Sequence, residues 1–212
     1  MDLVPVLVKD INPNGDASLS NFVAFNNRLF FSANDGTSGG ELWTSDGTPG
    51  GTVRLKDINP GSGISFPIWF IEFNNRLFFC ANDGTTGSEL WTSDGTPGGT
   101  RLFKDINPNS RFISPSQFTV VGNSLLFAAD DGTHGEELWI SDGTEAGTRL
   151  LKEIKPGGFP SQPRQLTEFN GRLIFTASDC IHGTELWTRD GTEAGTRLVK
   201  DEIGRATSKE IV

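Results

Sequence analysis

Apolar residues fall in short runs of four to six, and the runs come in sets of four. Phe22-Val23-Ala24-Phe25 is followed by Arg28-Leu29-Phe30-Phe31-Ser32, then by Glu41-Leu42-Trp43, then by Val53-Arg54-Leu55-Lys56-Asp57-Ile58. Asn26-Asn27, Asp35-Gly36-Thr37 and Asp46-Gly47-Thr48 punctuate them. Runs of this length, rich in aromatic and β-branched residues and bounded by Asn, Asp and Gly, read as strands joined by tight turns. The inner runs, such as Leu29-Phe30-Phe31, are apolar without alternation, which suits a strand buried on both faces. The last run alternates and carries lysine, which suits an edge.

The set recurs. Glu-Leu-Trp-x-x-Asp-Gly-Thr occurs four times, with Trp43, Trp91, Trp139 and Trp187 spaced by 48, 48 and 48 residues. A repeat of that period is one supersecondary unit stacked on its neighbours. Three short hairpin links in a row predict an up-and-down four-stranded antiparallel sheet. A longer connection such as Asn59-Pro60-Gly61-Ser62-Gly63 carries the chain to the next sheet. The fold class expected is therefore all-β, a β-propeller of four-stranded blades. One propeller domain would span residues 1–203, with units ending near 58, 106, 154 and 203 and a tail over 204–212 that matches nothing in the repeat. Residues 4–11 form a lone extra copy of the fourth strand. Three closures follow, namely a four-bladed ring (favoured), an arc completed by a second copy as a homo-oligomer, and a piece of a longer array.

Composition narrows the partners. The 212 residues include 26 Gly, 11 Pro and no Tyr, with 18 basic against 27 acidic residues and a net charge of −9. That balance disfavours nucleic acid, whose binding rests on neutralising phosphates. No run is long enough for a membrane span, and Met1 to Pro5 has no signal-peptide character. Cys80 and Cys180 occupy different phases of the repeat, which predicts neither a disulfide framework nor a metal clip.

Residues 83–106 carry the repeat at its fullest, as Asp83-Gly84-Thr85-Thr86-Gly87 through Trp91 to Thr96 and on to Lys104-Asp105-Ile106. This pattern, which covers residues 4–203, resembles the bacterial ELWxxDGT repeat family. The resemblance implies propeller-forming units in exported or surface-attached proteins and brings no catalytic residues with it.

Candidate chemistry is sparse. Trp43, Trp91, Trp139 and Trp187 read as packing between sheets, or alternatively as one sugar-stacking platform per blade. Asp46, Asp94, Asp142 and Asp190, like Asp35, Asp83, Asp131 and Asp179, stand at Asp-Gly turns. Each turn offers too few oxygen ligands for calcium, and Asp suits such turns by bonding backbone amides. Glu41, Glu89, Glu137 and Glu185 are fourfold equivalent, so none is set apart as a catalytic acid, and a role bonding a nearby turn or pairing with Arg28, Arg76 or Arg172 is expected. His134 and His182 share one repeat position without a cluster of further metal ligands. No catalytic residue, metal or cofactor is expected. A specific site belongs where the symmetry breaks, in the connections between units. Phe66, Trp69, Arg111, Phe112 and Phe159 form an aromatic and basic set there, expected around one mouth of the central channel. The function expected is a non-catalytic scaffold binding another protein. A lectin-like module with one weak glycan site per blade is the alternative, and a glycoside hydrolase a distant third.

Overall fold

A computed structural model describes residues 5–108, 115–190 and 195–200. The chain divides into two compact units, Met1–Asp105 and Ile106–Val212. Among the described residues there are sixteen strands and no helix, in four antiparallel four-stranded sheets.

In the first unit, β1 (Ser20–Phe25), β2 (Arg28–Asn34), β3 (Gly40–Ser45) and β4 (Val53–Lys56) form the first sheet in sequence order. The second consists of β5 (Ile68–Phe73), β6 (Arg76–Asn82), β7 (Ser88–Ser93) and β8 (Arg101–Lys104). In the second unit the third sheet is β9 (Ser116–Val121), β10 (Ser124–Asp130), β11 (Glu136–Ser141) and β12 (Arg149–Lys152). The fourth is β13 (Arg164–Phe169), β14 (Arg172–Asp179), β15 (Gly183–Arg189) and β16 (Arg197–Lys200). Asn26 and Asn27 both have positive φ (47° and 58°), as do Asn74 and Asn75. That conformation matches the right-handed twist of the paired strands, and Asn tolerates it better than other residues with a Cβ.

The pairing of Phe31 with Trp43, and of its equivalents in the other sheets, gives each sheet two unlike faces. One carries the repeat tryptophan, the other the leucine that precedes it. In the first unit the leucine face of the first sheet (Phe25, Phe30, Leu42, Leu55) and Ile58 pack on Leu77, Phe79, Ala81 and Trp91, the tryptophan face of the second. In the second unit Leu126, Leu138, Leu151 and Ile154 pack likewise on Leu173, Phe175, Ala177 and Trp187. Trp91 and Trp187, 6 % and 7 % exposed, are buried in these contacts and supply a large part of their apolar drive.

The extra copy of the fourth strand makes no strand pairing over residues 5–11. It lies over the tryptophan face of the first sheet, where Ile11 packs on Phe31, Ala33 and Trp43 and the Lys9 ammonium donates to the Thr52 carbonyl at 2.8 Å.

Candidate functional site

The repeated carboxylates are engaged by the fold. Asp35 Oδ1 accepts from the amides of Thr37 (2.9 Å) and Ser38 (2.8 Å) and from the Thr37 hydroxyl, while Oδ2 accepts from the Ser38 hydroxyl. Burial alone would raise this carboxyl, but the four donors hold it down to about 2. In the third and fourth sheets a histidine replaces Ser38. His134 Nδ1 lies 2.8 Å from Asp131 Oδ2, and His182 Nδ1 lies 2.7 Å from Asp179 Oδ2. Each histidine thus closes its own turn. The second family of turns works alike, with Asp46 accepting from the Thr48 amide and hydroxyl, Asp94 from those of Thr96 and Asp142 from those of Thr144. Asp190 precedes residues outside the described part of the chain. Among the described residues, no group of three or more His, Cys, Asp or Glu is arranged so that it could hold a metal ion.

The glutamates of the motif hold the connections between sheets. Glu41, fully buried, accepts from the Ile58 amide at 2.7 Å, the Asn59 amide at 3.3 Å and the Ser65 hydroxyl at 2.8 Å. Glu137 does the same for Ile154, Lys155 and Ser161. Burial pushes both carboxyls upward, against these hydrogen bonds. Arg28 does not pair with Glu41. Its guanidinium donates to the Thr44 hydroxyl at 3.0 Å and the Gly51 carbonyl at 2.7 Å, and lies 3.7 Å from Asp46.

The singular features lie at the start of the first strand of each sheet. Its pairing with the next strand is broken by an irregularity, between Ser20 and Val23 in the first sheet and between Ile68 and Ile71 in the second. At that point Asn21, Trp69, Gln117 and Gln165, which are 48 residues apart, all adopt left-handed backbone, with φ from 55° to 60°. Three residues earlier Ser18, Phe66 and Gln162 do so too, with φ from 45° to 52°. Left-handed backbone costs a residue with a Cβ about 1–2 kcal/mol, and short polar side chains tolerate it best. In every other described copy the two positions carry Ser, Asn or Gln. The second sheet alone has Phe66 and Trp69, and these side chains are 63 % and 44 % exposed. Phe66 thus has little packing to offset the backbone cost, whereas the half-buried Trp69 recovers it and still presents much of its indole to solvent. Sequence spacing alone holds the signal, as amide residues recurring at 21, 117 and 165 with an indole at 69.

Phe159 lies in the second unit, in the connection from β12 to β13, exposed and with the Lys155 ammonium 5.9 Å from its ring centre. Its backbone crosses close over Gly135, where an added Cβ would meet the Phe159 carbonyl carbon at 2.8 Å. Arg111 and Phe112 lie outside the described residues.

No protein-family pattern and no curated protein matches the chain. Solved structures do match. Puromycin hydrolase (the S511A mutant complexed with PGG) superposes with a TM-score of 0.60 at 16 % identity, over 92 % of this chain and 30 % of that one. Pyrococcus horikoshii acylaminoacyl peptidase gives 0.54 at 12 % identity, over 87 % of this chain and 27 % of that one. A prolyl endopeptidase gives 0.51 at 13 % identity, over 81 % and 24 %. The chain thus spans less than a third of each of these proteins, and the likeness is one of fold, to propeller-type structures.

Proposed function

We propose that the four sheets are blades of a β-propeller that serves as a non-catalytic scaffold binding another protein, with Phe66 and Trp69 as contact residues. The observation that carries this reading is the pair of exposed aromatics in left-handed backbone, where the other copies place small or amide side chains. Residues in left-handed backbone cluster at binding sites, and aromatic anchors dominate protein interfaces. The engagement of Glu41 and Glu137 by the connections supports a structural rather than a hydrolytic use of the repeated acids.

The test compares proteins captured from the source organism by the wild-type chain and by Trp69→Asn, which installs the residue type found at Asn21. A partner retained by the wild type and lost by the variant supports the reading. Equal capture by both refutes it. The glycan alternative now rests on Trp69, since the repeat tryptophans are buried. Binding on a glycan array that free sugar competes and Trp69→Asn abolishes would replace the protein partner with a sugar.

A further inference from the structure

Within each unit a leucine face covers a tryptophan face, so the mate of either kind of face is defined inside the chain itself. On two of the remaining faces large apolar residues stay exposed. On the leucine face of the fourth sheet, Phe169 is 61 % exposed where its equivalent Phe25 is 2 % exposed. Leu186 beside it is exposed, whereas Leu42, Leu90 and Leu138 are fully buried. With Thr167 and Ile174 these residues line an apolar depression of about 420 Å³. On the tryptophan face of the first sheet, Leu29 is 37 % exposed where Leu77, Leu125 and Leu173 are fully buried. It borders a cavity of about 460 Å³ with Phe22, Phe31 and the segment Val6–Val8.

The sequences flanking these faces are complementary. Val8-Lys9-Asp10-Ile11-Asn12 reproduces Leu55-Lys56-Asp57-Ile58-Asn59. Asn12 fills the space beside Gly36 that Asn59 fills beside Gly84. Residues 8–12 thus stand on the first sheet as residues 55–59 stand on the second. The fourth repeat is a sheet with an open leucine face. Where the first two copies continue Ile58-Asn59-Pro60 and Ile106-Asn107-Pro108, it continues Ile203-Gly204-Arg205, with neither Asn nor Pro.

We propose that the leucine face of the fourth sheet docks on the tryptophan face of the first sheet of a second copy of this chain, beside that copy's residues 5–13. A second copy carries the kind of surface that the internal contacts assign to each of these faces, and each keeps exposed apolar residues, Phe169 and Leu186 on one and Leu29 on the other. Two such contacts related by a two-fold axis join two copies into a dimer. The inference rests on face pairing and is independent of the role given to Phe66 and Trp69.

Phe169→Glu and Leu29→Glu each place a carboxylate on one of the two faces, at positions exposed in the single chain. Sedimentation of the full chain across the micromolar range should give twice the chain mass of 23.0 kDa for the wild type and the single mass for either variant. An equal mixture of the two variants should recover a dimer, because one retains an intact fourth-sheet face and the other an intact first-sheet face. That recovery separates loss of the contact from loss of the fold. A wild-type chain that stays at the single mass overturns the proposal, including one that buries Phe169 by closing on itself. So does a dimer that survives both substitutions, or a mixture that recovers nothing.

Discussion

The Asn59 side chain occupies the space that a Cβ on Gly84 would need, with the built Cβ 2.6 Å from Asn59 Oδ1. The same relationship joins Asn12 to Gly36 and Asn107 to Gly132. In the fourth copy both partners change together, to Lys155 and Cys180. Each Asn follows the fourth-strand run, so the contact ties a connection to the first Asp-Gly turn of the sheet beyond it. Gly84 also has φ of 80°, so Gly84→Ala meets a steric clash and a backbone penalty. The variant should lose about 2 kcal/mol or more of unfolding free energy. Asn59→Gly in the same chain should restore the steric part, which a double-mutant cycle in urea would measure.

Two adjacent glycines should respond in opposite ways. Nothing lies within 4 Å of a Cβ built on Gly50, whereas one on Gly51 would overlap the Asp46 carboxylate. The repeat itself draws this distinction, since the third and fourth copies carry Ala146 and Ala194 at the first position and keep Gly147 and Gly195 at the second. Gly50→Ala should therefore be neutral or stabilise by up to about 1 kcal/mol through the unfolded chain. Gly51→Ala should displace Asp46 and lower the melting temperature clearly. Thermal melts of the two variants side by side would decide it.

What was legible in the sequence is what depends on neighbours along the chain. The Asn-Asn and Asp-Gly-Thr turns delimit strands within a residue or two. The second strand, read as 28–32, extends to Asn34 because Ala33 and Asn34 still pair with Glu41 and Gly40. The burial of the tryptophans was legible as well, from their fixed period and from the size of the indole. The left-handed position of Trp69 was not, because it arises from an irregular pairing with β6 that only the assembled sheet creates. Nor was the link from Glu41 to Ser65, 24 residues apart. Period 48 marks Glu41 as structural without saying what it touches, and Ser65 does not share the period, since Ala17 and Ile113 stand at its equivalent positions.

Stability should peak in mildly acidic solution. Glu41 and Glu137 have carboxyls raised above the ordinary 4.5 by burial. Folding therefore favours their protonated form, and their contribution is complete below 4.5 and lost as pH rises through the raised values. His134, raised above 6.5 by its bond to Asp131, likewise contributes below that value and loses the contribution as pH rises. Its exposure makes the effect small. The turn aspartates act in the opposite sense. Asp35, held at about 2, stabilises above 3.8 and loses that contribution as pH falls towards 2. Asp83, Asp131 and Asp179 are lowered in the same sense. Denaturant midpoints should thus rise as pH falls from neutral towards the glutamate range, then drop sharply below 3.8. Glu41→Gln should flatten the rise and leave the acid limb in place. A profile that falls monotonically from neutral pH would contradict this assignment.

Phe66 and Trp69 should be nearly dispensable for stability. Asn at either position relieves left-handed strain of about 1 kcal/mol. Phe66 is mostly exposed, so Phe66→Asn should be neutral or slightly stabilising. Trp69 covers about half of its side chain, so Trp69→Asn forfeits about 2 kcal/mol of apolar burial against that relief. A net cost near 1 kcal/mol is expected. Trp91 provides the contrast, being buried between the first and second sheets, and Trp91→Ala should cost about 3–5 kcal/mol. Urea titrations of the three variants would measure the ordering. If Trp69→Asn destabilised as much as Trp91→Ala, the indole would be a packing residue and the proposed contact site would lose its basis.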